Sequence, residues 1–335
     1  LAIASILVRV MGMIYRIPMT AIIGDKGNGF YSYAYSVYTI LLLLSSYSLP
    51  LAVSKMVSAK AQLGQWRNVK RVFICAIAFA IGIGTTFGLI VLIGAQFFTR
   101  VFFHSELAAI ALRFMAPTIL IMALLGVFRG FFQGLQNTLP TAVSQIVEGL
   151  INAIMSVVFA YFLFDFGHGM DAAGGTTDLG YAWGAAGGAI GTGAGALAGL
   201  IFCFILFVAY RKILAVNISR DKTGTQQEYG DIFRLMLSIA LPVILSTALY
   251  NLIELVDGSL FNNIMASKGM EDVKDSMWGA YNAKALLLVH IPVSISSAMA
   301  VSLVPTLTAA YALGDEQTAK SKVHAILRFI SILAF

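Results

Sequence analysis

Apolar runs long enough to cross a bilayer recur along the whole chain, parted by short polar breaks. They fall near 1–23, 30–58, 71–98, 107–134, 138–166, 180–210, 232–262 and 277–311, and a ninth begins near 322. About 20 apolar residues in a helix cover the hydrocarbon core of a bilayer. Inside lipid every backbone N–H and C=O must find a partner within the span, so each run predicts a helix. The pattern therefore predicts an all-α integral membrane protein with about nine transmembrane helices. The chain opens on Leu1 and stops inside an apolar run at Phe335, as expected for a fragment of a longer protein.

The sixth run places Gly187, Gly191, Gly195 and Gly199 at i, i+4, a close-packing helix face. Its Gly-x-Gly patterns follow no strand and precede no phosphate-binding lysine, which argues against a nucleotide loop. Pro140 is expected to open a helix, where its missing N–H costs nothing. Pro18, Pro50, Pro117, Pro242, Pro292 and Pro305 are expected to break helix hydrogen bonds and kink the chain. So many breaks favour a protein that rocks or bends over a static anchor.

Composition narrows the class. The 335 residues are 59% hydrophobic and 11% charged, against about 25% charged in soluble domains. Little of the chain is expected outside the bilayer, and nothing suggests a nucleic-acid partner. Cys75 and Cys203 lie in apolar runs and read as packed thiols. His104, His168, His290 and His324 show no metal-ligand spacing, and no catalytic constellation is visible. The expectation is a non-enzyme with no catalytic residue, no metal and no cofactor. The loops 59–71, 135–137, 211–231 and 312–321, with their flanks, carry twelve Lys and Arg; the other side carries Lys26, Arg100, Lys268 and Lys274. The positive-inside rule puts the first set in the cytoplasm, with the N-terminus, and the 165–180 loop outside.

The chain also repeats itself. At an offset of 250, Gly29 meets Gly279, Tyr31 meets Tyr281, Leu63-Gly64 meets Leu313-Gly314 and Lys70 meets Lys320. At an offset of 242, Lys26-Gly27 meets Lys268-Gly269. Six spans per unit is even, so the halves keep one orientation, and a ligand site is expected between them. This gives an N-terminal six-helix lobe at 1–212, a cytoplasmic inter-lobe loop at 213–230, and the start of a C-terminal lobe at 231–335.

Charges inside the spans carry the candidate chemistry. Arg9 and Arg16 lie seven residues apart in the first run. They share a helix face about 10 Å apart. An arginine at mid-bilayer costs about 2.5–3.5 kcal/mol, so this face must look into protein or water and attract an anion. Lys284, about two turns into the eighth span, is expected to join them in a cavity between the lobes. Three cations there repel one another unless they share an anion, and the arginine fork suits phosphate. Asp257 in the seventh span should be protonated, cation-bound or paired, with Lys284 the candidate partner. Lys55, Arg113 and Glu148 read as internal pairs or snorkelling ends, and Glu254 is a further in-span acid. Tyr31, Tyr33, Tyr35 and Tyr38 read as an interfacial aromatic belt, with sugar stacking as the weaker alternative.

The stretches FRGFFQGLQNTLPTAVSQIVEGLINA (128–153), VRVMGMIYRIPMTAIIGDKGNGFYSYAYSVY (8–38) and SLVPTLTAAYALGD (302–315) resemble the polysaccharide-transport branch of the MOP exporter superfamily. The resemblance is to the stage V sporulation protein B and MurJ-type lipid II flippase group. It implies a MATE-like two-lobe bundle of six-helix repeats plus an extra helix pair. It also implies a bacterial plasma-membrane flippase with a role in peptidoglycan or sporulation. Such a protein moves an undecaprenyl-diphosphate-linked oligosaccharide, lipid II in the first instance, outward by alternating access. Arg9 and Arg16 match the group's paired first-span arginines, and Lys284 falls near its eighth-span arginine, so these three are the implied diphosphate-binding residues. The group's second-span arginine has no match here. Asp257 falls where some relatives bind sodium, which makes it the candidate site for a coupling ion, Na+ or H+. The implied partners are the lipid-linked substrate and membrane lipids. Competing readings are a cation-coupled drug antiporter of the MATE branch, which needs acids in the cavity, and a membrane glycosyltransferase, which needs catalytic groups on an outside loop.

Overall fold

The computed structural model describes residues 2–174 and 178–286, residues 288–289, and scattered positions from 317 to 331. Helix α1, Ala2–Leu42, is interrupted at Gly24, whose φ of 62° and ψ of −177° lie outside the helical region. Glycine adopts that backbone without steric cost. The chain reverses there. Asn28 Nδ2 donates to Thr20 Oγ1 at 3.1 Å, and Tyr15 and Tyr35 line one cavity. In a straight helix those two tyrosines would stand about 30 Å apart. The limbs 2–23 and 25–42 are thus the first span and the start of the second. A π-helical turn, Leu43–Tyr47, and helix α2, Leu49–Gln62, complete the second span.

The remaining helices are α3 (Trp66–Phe103), α4 (Ala108–Gly134), α5 (Leu139–Gly174), α6 (Leu179–Arg220), α7 (Tyr229–Ser267) and α8 (Glu271–Ala280). Helix α8 runs into a π-helical turn, Tyr281–Ala285. Five helical stretches among the described residues are long and apolar enough to cross a membrane, and the first of them, Leu7–Gln62, holds two passes. The architecture is an all-α, multi-pass bundle.

Three expectations change. Pro50 stands at the start of α2, behind the π-helical turn, rather than inside a continuous helix. There its missing N–H removes no helix bond. The 213–230 connection is helical as far as Arg220, because RKILAVNISR contains no glycine or proline to stop α6. The 165–180 segment is also mostly helix, shared between α5 and α6. Asp171 on α5 accepts the N–H groups of Leu179 and Gly180 at 2.9 Å each, capping α6 from a neighbouring helix. Pro292, Pro305 and the 302–315 stretch lie outside the described residues.

The small-residue face behaves as expected at three of its four positions. A Cβ at Gly187 would meet the Phe159 carbonyl, one at Gly191 would meet Ser156, and one at Gly195 would meet the Glu148 carbonyl. Gly199 has more room. The non-helical connection after α6 is clamped onto α3. Asn68 donates to Thr225 O at 3.1 Å and accepts from Gln227 N at 3.0 Å. Arg67 N and Thr223 N each donate to Asp221 at 2.9 Å. These N–H donors and the Thr223 hydroxyl hold the Asp221 carboxyl at about 2, below its ordinary 3.8.

Arg129 is spent inside the bundle and not in a loop. Its Nη2 meets Glu148 Oε2 at 2.6 Å, and its Nε donates to Ser144 Oγ at 2.8 Å. The two side chains are 12% and 25% exposed. Glu148 therefore takes the paired structural role. Removing one partner strands a charge in a low-dielectric site. Glu148→Gln should lower stability by about 3 kcal/mol. Adding Arg129→Met should restore much of that, as read by thermal unfolding in detergent.

Candidate functional site

The reversal of α1 brings its two limbs against α7 and α8, and a cavity of about 600 Å³ opens between them. Its walls come from Tyr15, Arg16 and Met19 on the first limb and Asn28, Tyr31, Ser32 and Tyr35 on the second. Helix α7 contributes Asn251, Glu254 and Asp257, which recur at i, i+3, i+6 on one helix face. Helix α8 and the turn after it contribute Trp278, Tyr281, Asn282 and Ala283. Cation, carboxylates, amides and aromatic rings thus share one chamber.

The candidate residues separate. Arg16 and Asp257 line the cavity together. Arg9 is exposed, two turns back along the same limb and outside the lining. Lys284 also lies outside the lining; its Nζ pairs with Asp25 Oδ2 at 2.7 Å. That pairing answers both questions posed for Lys284. Its charge is balanced by a carboxylate at the α1 reversal, so it neither joins Arg16 nor bridges to Asp257. The expected cluster of three cations is replaced, among the described residues, by one arginine facing two carboxylates. Glu254 is the residue that sequence reasoning underweighted. Its Oε1 accepts from Ser36 Oγ at 3.4 Å. Neither Arg16 nor Asp257 forms an ion pair among the described residues.

The tyrosines face protein and not lipid. Tyr31, Tyr33 and Tyr38 are buried, and Tyr31 and Tyr35 line the cavity. Tyr33 donates to Asn262 Oδ1 at 2.9 Å and stacks on Phe103 at 4.7 Å. The belt expectation fails because the second limb runs through the middle of the bundle.

Beside the cavity the second limb of α1 meets α8 in a tight seam. A Cβ at Gly29 would strike the Asp275 carbonyl, and one at Gly279 would strike the Asp25 carbonyl. Positions 25 and 275 share the 250-residue offset of positions 29 and 279. The contact is reciprocal, as between copies related by a two-fold axis. Lys274 adds Nζ contacts to the Phe103 and His104 carbonyls at 3.2 and 2.8 Å. Beside it, burial raises the Asp275 carboxyl above the ordinary carboxylate range, opposed by Lys274. Lys26 meets Asp178 at 2.8 Å, tying the α1 reversal to the start of α6.

A multi-pass helical bundle with a mixed-charge chamber between its helix pairs is a MATE-like fold. The family model described as "Polysaccharide biosynthesis protein" matches residues 1–310, and the chain belongs to this family, in the polysaccharide-transport branch of the MOP superfamily. It is 25% identical over 344 residues to the lipid II flippase MurJ of Bacillus subtilis (strain 168), covering 99% of this chain and 61% of that protein. It is 24% identical over 310 residues to the stage V sporulation protein B of the same organism, covering 91% of this chain and 56% of that protein. The chain thus spans under two thirds of the length of these relatives. Among solved structures it resembles an inward-facing MATE family multidrug transporter, with a TM-score of 0.69 at 15% identity, covering 99% of this chain and 71% of that one. It also resembles a MOP superfamily transporter from Pyrococcus furiosus Vc1, with a TM-score of 0.59 at 15% identity, covering 99% and 68%.

Proposed function

We propose that the full-length protein is a flippase. It moves an undecaprenyl-diphosphate-linked oligosaccharide, lipid II in the first instance, outward across the bacterial plasma membrane by alternating access. The observation that carries this reading is Arg16, a mid-span arginine that opens into the chamber beside the repeat-related seam. A guanidinium there is expensive unless an anion uses it, and its planar fork matches a phosphate. Family membership and the flippase among the relatives support the same substrate class. In this reading the protein transports its substrate without chemically altering it. Arg9 and Lys284 act outside the chamber as now formed, and would engage the diphosphate only when the lobes rearrange and the Asp25 pair opens.

Two carboxylates in the chamber oppose a diphosphate by Coulomb repulsion unless a proton or a sodium ion neutralises them. That supports Asp257 as the coupling-ion site. Asp257→Asn should remove the dependence of transport on sodium or pH while diphosphate binding persists. Transport titrated against sodium and against pH in both proteins checks this. The same carboxylates favour the second reading, a MATE-type antiporter for cationic drugs. Complementation separates the two. The full-length gene should sustain growth of a strain depleted of its lipid II flippase, and should not raise resistance to cationic dyes.

Orientation follows from the basic loops, with the Gly24 reversal outside and the 221–228 connection inside. A cysteine replacing Gly169, where a side chain meets open space, should react with an impermeant thiol reagent in intact cells. One replacing the exposed Lys222 should react only after lysis. The buried Cys75 and Cys203 contribute little background.

A further inference from the structure

The polar wall of the chamber carries a set of hydrogen-bond acceptors. Asn28, Asn251 and Asn282 all line it. Each spends its amide nitrogen on the carbonyl four residues earlier in its own helix. Asn28 donates to Gly24 O at 2.8 Å, Asn251 to Thr247 O at 2.8 Å and Asn282 to Trp278 O at 3.0 Å. A carbonyl oxygen only accepts, so the amide orientation is fixed: nitrogen toward the helix, Oδ1 left over. No donor reaches any of these three Oδ1 atoms among the described residues. With Glu254 and Asp257 the chamber presents five acceptor side chains. A ligand complementary to them must be rich in O–H or N–H donors, because an acceptor left unpaired on binding loses its water without replacement.

Aromatic side chains line the same chamber. Tyr31 and Tyr35 stack at 5.8 Å on the second limb of α1. Trp278 and Tyr281 lie 5.5 Å apart on α8 and the turn after it. All four line the chamber. Tyr31 and Tyr281 are equivalent in the 250-residue repeat; Tyr35 and Tyr281 are exposed, whereas Trp278 is buried against Tyr33 and Phe261. An exposed aromatic face beside hydrogen-bond acceptors suits a sugar ring: its C–H face lies on the aromatic surface and its rim of hydroxyls donates.

We propose that this part of the chamber is a glycan subsite. It seats the first sugar of the lipid-linked substrate against the exposed rings of Tyr35 and Tyr281. Its hydroxyl and amide donors go to the Oδ1 atoms of Asn28, Asn251 and Asn282 and to Glu254. The subsite rests on the flippase reading, in which Arg16 takes the phosphate, and it assigns the sugar contacts to separate side chains.

Two probes separate subsite from reading: a short-chain prenyl diphosphate carrying one N-acetylhexosamine, and the same prenyl diphosphate without the sugar. Each is titrated against the full-length protein in detergent. The sugar-bearing probe should bind the unaltered protein about tenfold more tightly, the gain expected from one or two satisfied hydrogen bonds plus ring contact. Asn251→Leu and Tyr281→Leu should each shrink the ratio between the two probes by about threefold or more. Equal binding of the two probes by the unaltered protein overturns the subsite, and that comparison needs no variant to fold. So does an unchanged ratio in both variants. Failure of both probes to bind the unaltered protein overturns the flippase reading itself, and the subsite with it.

Discussion

Replacing Arg16 with alanine should cost the protein most of its affinity for a prenyl diphosphate. A charge-assisted contact to a buried anion contributes about 1.5–3 kcal/mol, which is roughly a tenfold to hundredfold loss. The effect should be large because Arg16 is the cation that reaches the chamber among the described residues, facing Glu254 and Asp257. Without it the lining keeps only its two carboxylates and repels the ligand more strongly. Arg16→Lys should recover part of the loss, since it restores the charge but not the two-pronged donor geometry. Calorimetric titration with a short-chain prenyl diphosphate measures both. Unaltered affinity in the alanine variant would remove the phosphate role from this residue. Thermal unfolding should stay close to that of the unaltered protein, because Arg16 forms no ion pair among the described residues whose loss would strand a partner.

The second large effect should come from Gly279→Val. Its Cβ would overlap the Asp25 carbonyl and crowd the Gly29 nitrogen, both of them backbone atoms. A flexible side chain could swing aside; backbone in a packed seam cannot. Overpacking of this kind costs about 1–3 kcal/mol and sometimes more. The cost falls on the state in which α1 and α8 touch. The variant should unfold at lower temperature and, on the flippase reading, should also lose transport, since that reading makes the closed seam one end of the cycle. Gly12→Ala is the matched control, because nothing lies within 4 Å of a Cβ there. A Gly279→Val protein with the transport rate and melting temperature of the unaltered protein would mean that the seam does not close in the membrane.

Among the described residues hydropathy alone placed the helices, because lipid forbids unpaired backbone and so ties each apolar run to a helix. It missed the helix ends, since α6 continues past its apolar run where nothing stops it, through Arg211–Arg220. The 250-residue offset, read from a few identities, matches the reciprocal packing of Gly29 and Gly279. Arg16 was legible because an in-span arginine has few explanations. The partners of Lys284 were not. Asp25 sits 259 residues earlier, and only the reversal at Gly24 carries it to the eighth span. The four tyrosines carried the same ambiguity. Aromatic residues near a span end look alike in sequence whether they face lipid or a chamber, and only the position of the second limb decides. The acceptor character of the chamber was hidden as well. It depends on where each asparagine spends its nitrogen, which follows from helix geometry and leaves no trace in composition.

The central claim is that this chamber passes a lipid-linked saccharide across the bilayer, held through Arg16. The direct measurement is leaflet exchange in vesicles. The full-length protein is reconstituted with a fluorescent prenyl-diphosphate-linked saccharide, and the fraction accessible to an impermeant quencher is followed with time. The account predicts fast exchange with the unaltered protein and exchange at the protein-free rate with Arg16→Ala. Equal exchange in the two proteins, or none in either while a cationic dye is exported, would contradict it.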